Sequence, residues 1–400
     1  LCAPDKFKGT LTALEAAQAM AAGVTDAAPD ATVDVCPLAD GGEGTLDALA
    51  KPLGLDLRRM RVTGPLGDPV DARYGVTSDG SLAVVELAEA AGLHHVPPDR
   101  RDPTRTTTAG GGELLRHLVA AGCPEVIVAV GGSATCDGGA GLAAALGAVF
   151  RATDGTPLPL PMCGGRLREI ATIEWPRVHA RVRVASDVEH ELLGPHGAAR
   201  TFAPQKGATP AQVEELESGL EHLVRCVERG DARQGERQPM EAIDRPDDRC
   251  VDQPNMQRVN QGGDQWKALR GIHGHPGAGA AGGAAYGLAI FARATLERGA
   301  ELVVDALGFD ARLRRADLVI AGEGGLDTAS FRGKVVGSVI SRAAAMGVPV
   351  LVIAGHVERG LAPPSLIRPA QAVRWTSLAD RFGEDAYRHP VGSLRRATTE

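Results

Sequence analysis

Aromatic residues make up only 3% of this 400-residue chain. That excludes a stacking platform for single-stranded nucleic acid, because such surfaces are built from aromatic faces. Positive charge is also short: 43 Lys and Arg face 50 Asp and Glu, a net charge of -7. No basic field is available for a phosphate backbone, so nucleic acid is not an expected partner. A small anionic substrate stays open, since a few local cations and backbone N–H groups can override the global sign. No apolar run approaches 18 residues, so no membrane span is expected. The seven cysteines (Cys2, Cys36, Cys123, Cys136, Cys163, Cys226 and Cys250) are odd in number and never in C-x-x-C spacing. A disulfide framework or zinc site is therefore not expected, and a reducing cytoplasm fits. The chain opens Leu1-Cys2-Ala3-Pro4 without Met or a basic stretch, which reads as a clipped N-terminus rather than a signal peptide.

What is plentiful is glycine, 51 residues, with no G-X-Y period. The balance of 44% hydrophobic and 23% charged residues is that of a globular chain. The length suits two α/β lobes or one large enzyme domain. The recurring unit is a short β-branched run, a Gly-rich turn, then an Ala/Leu-rich amphipathic stretch. Glu125 to Val130 reads as a buried parallel strand because it is apolar without alternation. Asp317 to Ala321, Val348 to Ile353, Arg181 to Ala185 and Thr32 to Cys36 read as further strands. Helices are expected over Leu11 to Gly23 (capped by Thr10), Gly141 to Val149 and Gly333 to Met346. Arg73 to Val76 and Leu82 to Leu87 read as a strand pair around Ser78-Asp79-Gly80. Parallel sheets bind ligands at the carboxyl ends of their strands, where the Gly-rich turns fall.

Two Gly-rich motifs fail as nucleotide signatures. The sole Gly-Lys pair, Gly333-Lys334, is followed by Val335, so there is no Walker A loop. Gly277-Ala278-Gly279-Ala280-Ala281-Gly282 matches G-x-G-x-x-G but follows His273-Gly274-His275-Pro276 rather than a strand. Close packing at a helix start is the plainer reading, and a nicotinamide oxidoreductase is the weaker one. Gly131-Gly132-Ser133-Ala134-Thr135, with Asp137 beyond, joins a buried strand to a helix. Its free N–H groups could hold a phosphate.

Carboxylates repeat at corresponding places. Asp5, Asp40 with Glu43, Asp137, Asp187 with Glu189, and Glu323 with Asp327 each follow an expected strand. One such acid is ordinarily a cap. Five at sheet ends suggest a Mg²⁺–phosphate or polyhydroxyl site, because Mg²⁺ takes carboxylates together with substrate phosphates. Lys6 and Lys8 beside Asp5, and Lys206 in Pro204-Gln205-Lys206-Gly207, supply cations for anionic groups.

Taken together, these stretches resemble the bacterial type 1 glycerate kinase family. The resemblance rests on Ala3-Pro4-Asp5-Lys6-Phe7-Lys8-Gly9, Ala39-Asp40-Gly41-Gly42-Glu43-Gly44-Thr45, Thr63 to Gly67 and Gly131 to Gly141. It continues through Gly194 to Ala199, Phe202 to Thr209, Pro276 to Gly283, and Gly322-Glu323-Gly324 with Asp327. It implies ATP- and Mg²⁺-dependent phosphorylation of D-glycerate to 2- or 3-phosphoglycerate. The implied fold has a parallel-sheet, Rossmann/flavodoxin-like α/β lobe (1–65 and 285–400) and a mixed-sheet α/β lobe (66–284) inserted into it. The active site then lies in the cleft between lobes. The polar stretch at about 229–271 is longer than the family's connector and reads as a disordered insertion rather than a lid.

Asp187, Lys8 and Asp40 are the expected catalytic residues, with Asp187 as base and Asp187 and Glu323 as Mg²⁺ ligands. Asp5, Lys6, Gly41, Gly42, Glu43, Gly131, Gly132, Ser133, Ala134, Thr135, Asp137, Gln205, Lys206, Gly279, Gly282, Glu323 and Asp327 are the expected substrate and nucleotide contacts. The family's Asp-Val-Asp-Asn-Pro reads Asp187-Val188-Glu189-His190-Glu191 here, and its Gly-Glu-Gly-Arg reads Gly322-Glu323-Gly324-Gly325. Its first strand, before Ala3, is nearly absent. An impaired member that binds without turnover is the alternative. The oligomeric state, a homo-oligomer included, stays open.

Overall fold

A computed structural model describes residues 1–234, 271–331, 334–361 and 373–400. In chain order its strands are β1 (Cys2–Pro4), β2 (Leu55–Thr63), β3 (Pro69–Thr77), β4 (Leu82–Glu86), β5 (Glu125–Ala129) and β6 (Val149–Arg151). They continue with β7 (Thr172–Glu174), β8 (Arg181–Ala185), β9 (Thr295–Glu297), β10 (Val319–Leu326), β11 (Val350–Val357) and β12 (Val373–Ser377). A four-stranded sheet, β1-β10-β11-β12, is parallel throughout. A separate six-stranded sheet has the order β2-β3-β4-β5-β8-β9. Its first three strands form an antiparallel meander, and from β4 onward its neighbours are parallel. Because β1 and β10 are neighbours, everything from β2 to β9 lies between two adjacent strands of the first sheet.

The strand readings follow from burial. Val126, Ile127 and Val128 of β5 are at most 2% exposed, because helices cover both faces. Each such side chain contributes roughly 1.5–3 kcal/mol relative to exposure. The first strand is present after all: Cys2, Ala3 and Pro4 register with Ile320, Ala321 and Gly322. Thr32 to Cys36 does not become a full strand. It contributes one bridge, Val35 to Cys2, although N–H groups of Cys2, Cys36 and Leu38 still bond alternately between β1 and the stretch 34–38. The first helix runs Ala13–Ala27 and is capped by Thr12, not Thr10. Thr12 Oγ1 accepts the Glu15 N–H while the Glu15 carboxylate accepts the Thr12 N–H, a reciprocal capping box. Thr10 Oγ1 is instead committed to Phe7 O at 2.9 Å. The polar insertion expected at 229–271 falls, from 235 to 270, outside the described residues. Its first residues, 229–234, belong to the helix Pro210–Gln234.

One core cluster joins the two sheets. Ala3, Val319 and Val350 from the first pack in the same cluster as Val84, Ile127 and Ala185 from the second, through Leu46 and Leu49 of helix Thr45–Ala50 and Leu302 and Val303 of helix Gly299–Ala306. Those two helices flank the points where the chain crosses between sheets. The loops just before them are therefore held on rigid ground.

Asp137 shows what holds the loop after β5. Fully buried, it accepts from Thr108 N and Oγ1 (both 2.9 Å), Gly139 N (3.0 Å) and Gly141 N (3.2 Å). Asp137→Ala leaves those donors buried and unpaired and should cost about 3 kcal/mol or more. The shift of the urea unfolding midpoint measures it, and an unchanged midpoint would refute the clamp.

Candidate active site

The carboxyl ends of both sheets meet at the loop Asp40–Gly44. Gly41 adopts φ +81°, and a Cβ there would fall 2.6 Å from the Ala185 carbonyl at the end of β8. Only glycine lets the two backbones approach this closely. Gly41 O also accepts the Gly131 N–H at 3.2 Å, tying in the loop after β5. Gly42 N donates to Asp40 Oδ1 at 3.0 Å, and Gly44 N bonds both oxygens of Glu86 at 3.1 Å. Glu86, the last residue of β4, also accepts from Leu46 N at 3.2 Å. It was missed in the sequence because a lone acid ending an apolar strand looks like a solvated strand end. Its carboxylate caps the helix that follows Asp40, and burial still pushes its pKa up to about 7.

Asp40 is the electrostatic centre. Lys6 Nζ donates to Asp40 Oδ1 at 3.1 Å and to Glu43 O at 3.0 Å, and Lys6 N donates to Asp5 Oδ1 at 2.7 Å. Burial raises the Asp5 pKa, the Asp40 charge adds to it, and Lys6 opposes both. Burial alone would lower the Lys6 pKa, but Asp40 and Asp5 outweigh it and hold it raised. Burial pushes Asp187 up to about 7 against a hydrogen bond from Ala300 N, and Asp40 adds repulsion. Burial likewise pushes Glu323 up to about 7, with Asp327 and Asp40 adding to it against Ser330 and Lys334. Four acids from four chain segments thus share one field.

Two of these carboxyl groups have an oxygen to spare. Asp187 Oδ2 and Glu323 Oε1 are buried without a hydrogen-bond partner. Among the described residues no three His, Cys, Asp or Glu side chains converge to hold a metal alone. Spare buried carboxylate oxygens without a complete cage fit an Mg²⁺ that arrives with substrate phosphates. Asp187 also lines a pocket of about 240 Å³ with Ser186, Glu189, His275 and Arg298.

Other expected site residues have different duties. Lys206 is buried, and its Nζ donates to Ser133 Oγ at 3.1 Å and Thr135 O at 2.7 Å. Burial pushes its pKa down to about 8. It braces the Gly131–Thr135 loop rather than presenting a free cation, and Ala134 is likewise tied down, its N–H to Ala91 O and its carbonyl to Thr106 Oγ1. Gly132 gives its carbonyl to Leu93 N. Asp137, expected to touch substrate, is the internal clamp already described. Asp327 accepts from Ser330 N at 2.8 Å and so caps the turn Thr328–Phe331. Glu189 pairs with Arg298 at the surface. Lys8 and Gln205 are exposed. Gly279 N bonds His190 O, and a Cβ on Gly282 would lie 2.0 Å from Thr135 O. The segment before them is the short turn Ile272–Gly274, not a strand. The G-x-G-x-x-G stretch therefore packs against the loop after β5 and leaves the nicotinamide reading without support. At Gly325 a Cβ would meet His356 Cε1 at 2.4 Å, so the His356 ring takes the room a longer side chain would need.

The raised acids make stability depend on pH with a definite sign. A carboxyl whose folded pKa is about 7, against the ordinary aspartate value of 3.8 for Asp187, binds protons more tightly folded than unfolded between those values. Its contribution is therefore present below pH 4 and lost as pH rises through about 7. Asp187→Asn keeps the shape and removes the charge. Relative to wild type, the variant should gain melting temperature from pH 5 to pH 8, and a difference independent of pH would refute the assignment.

Comparison with known proteins agrees with the motif order. The glycerate kinase family model matches residues 1–398. A glycerate kinase of Halalkalibacterium halodurans is 38% identical over 363 residues, 90% of this chain and 85% of that one. A glycerate 2-kinase of Escherichia coli (strain K12) is 37% identical over 361 residues, covering 89% and 84%. A crystal structure assigned as glycerate kinase 2 from Salmonella typhimurium LT2 superposes with TM-score 0.77 at 35% identity, covering 100% of this chain and 95% of that one. Likeness in sequence and in both sheets, carried across nearly the full length, places this chain in the glycerate kinase family.

Proposed function

We propose that the chain phosphorylates D-glycerate with ATP and Mg²⁺, in the cleft where the two sheets' carboxyl ends meet. The observation that carries this is Asp187: a carboxyl with proton affinity tuned to about 7 and one oxygen unpartnered, lining a pocket beside Asp40. In the reaction the glycerate hydroxyl oxygen bonds to the γ-phosphorus and the bond to the β–γ bridging oxygen breaks. Asp187 takes the hydroxyl proton, and ADP leaves. A base with pKa near the working pH is well matched to that step. With Asp187 kept as the base, Glu323 Oε1, buried without a partner, is the oxygen that would help hold Mg²⁺, whose role when bound is to neutralise developing phosphate charge. Lys6 Nζ holds Asp40 in place through its bond to Oδ1. Lys8, exposed at the rim, is available to the phosphates.

The same reading divides the chain into the two lobes expected from the sequence, 1–65 with 285–400 and 66–284, with sheet membership drawing β2 and β9 into the second. It places the protein in the cytoplasm. Among the described residues no helix is long and apolar enough to cross a membrane. A second reading, binding without turnover, is favoured by one observation: Gly325, where the resembling family carries an arginine, is covered by His356.

The purified chain should form phosphoglycerate and ADP from ATP and D-glycerate only with a divalent cation. Phosphorus NMR of the product checks it, and turnover undiminished in excess EDTA would remove the metal. Asp187→Asn should lower kcat by roughly 10²–10⁴-fold and abolish the rise of kcat as pH passes through about 7. A near wild-type kcat at saturating Mg²⁺ would take Asp187 off the catalytic list, and absent ADP release from folded wild type would favour the non-catalytic reading.

A further inference from the structure

Outside the acidic cleft, the inserted segment carries an arginine pocket of about 450 Å³. Arg100, Arg101 and Arg105 line it, with Asp99, Asp102, Gln212 and Leu66. Arg101 Nε is buried and has no hydrogen-bond partner. A buried donor left open is costly, and such groups call for a missing acceptor. Among the described residues neither Arg101 nor Arg105 pairs with a carboxylate, and Arg100 reaches only Asp68, at 4.0 Å. The two acids do not fill the need. Asp102 Oδ1 already accepts from Thr104 N (3.0 Å), Thr104 Oγ1 (2.6 Å) and Gln212 Nε2 (3.0 Å), and Asp99 is exposed. Three guanidinium groups against two carboxylates leave a net positive lining.

Guanidinium forks match oxyanions, which they can bond through two parallel N–H groups. The volume lies in the range of small-molecule sites. Leu66 is its one apolar lining residue and no aromatic ring is present, so the pocket has no apolar slot to enclose a nucleobase. The ligand that fits is small, polar throughout and multiply anionic. We propose that this pocket binds a phosphorylated hydroxy acid, the class to which the product of the reaction proposed above belongs. The ligand class rests on that reading, whereas the anion-binding character rests on the arginines alone. The pocket is mechanically close to the loop after β5. A Cβ on Gly207 would meet Arg101 O at 2.5 Å, so Arg101 buttresses the turn whose Lys206 holds Ser133 and Thr135. Further along the same segment, Thr106 Oγ1 bonds Ala134 O and Thr108 bonds Asp137.

The test is calorimetric titration of the full chain at low ionic strength with 2- and 3-phosphoglycerate, inorganic phosphate, D-glycerate and ADP in turn. A phosphoglycerate should bind more tightly than either inorganic phosphate or D-glycerate. Arg101→Gln and Arg105→Gln should each weaken it about tenfold, the loss of a charge-assisted bond, while ADP affinity stays unchanged. Arg105 is exposed, so its variant should keep the wild-type melting temperature and decide the matter even if Arg101→Gln fails to fold. Phosphoglycerate affinity indifferent to Arg105→Gln would overturn the site. So would a loss of ADP affinity in place of phosphoglycerate affinity. Inorganic phosphate binding as tightly as phosphoglycerate would overturn the ligand class. Arginine-dependent phosphoglycerate binding in a chain with no kinase turnover would sustain the pocket and sink the proposed activity, so the two can fail separately.

Discussion

The contact of Gly41 with the end of β8 is the constraint on which the site depends. The loop that carries Asp40 must pass within backbone distance of Ala185 while its own carbonyl takes the Gly131 N–H. Once that passage exists, the ends of two separate sheets are locked edge to edge. Helices Thr45–Ala50 and Gly299–Ala306 then pack beneath the junction as one core. Glu86 completes the arrangement from the six-stranded sheet by holding the backbone N–H groups of Gly44 and Leu46. The acids borne by these loops are therefore placed by rigid elements rather than by flexible tips.

That placement is electrostatically unfavourable. Asp5, Asp187 and Glu323 are each raised chiefly by burial, and Asp40 repels all three. Lys6 offsets part of the charge through its bond to Asp40, in a pair still about one-third exposed and so partly screened. A group of acids left short of cations suits a site whose ligands bring positive charge with them. The large apolar core that spans both sheets is what tolerates the imbalance. Asp137 shows the contrasting use of a buried carboxylate: four donors from its own protein satisfy it, leaving nothing for a ligand.

Lys206 and Asp327 carry the same lesson. Each lies in a motif with the composition of a phosphate or metal site, yet Lys206 is consumed by the Gly131–Thr135 loop packed against it and Asp327 by its own turn. Composition identifies residues able to do chemistry. Whether their atoms remain free depends on which backbone groups come within about 3 Å, and that is a property of packing.

Much of the fold was legible in the sequence because its signals are local. β5, β10 and β11 follow from short Val- and Ile-rich apolar runs and β8 from its alternating valines, the Tyr74–Val85 hairpin from the turn at Ser78-Asp79-Gly80, and the helix Val335–Met346 from its periodicity. Glycine-rich turns after strands marked where ligands bind, and the collinear motifs marked the family. The cap of the first helix was legible but misread: Thr12-Ala13-Leu14-Glu15 has capping-box spacing, which Thr10 lacks. The sequence could not show Glu86 under the Asp40 loop, 42 residues away along the chain. Periodicity reports which face of an element is buried. Only the tertiary structure decides which distant carboxylates share that burial, because desolvation and charge act through space and take no account of sequence separation.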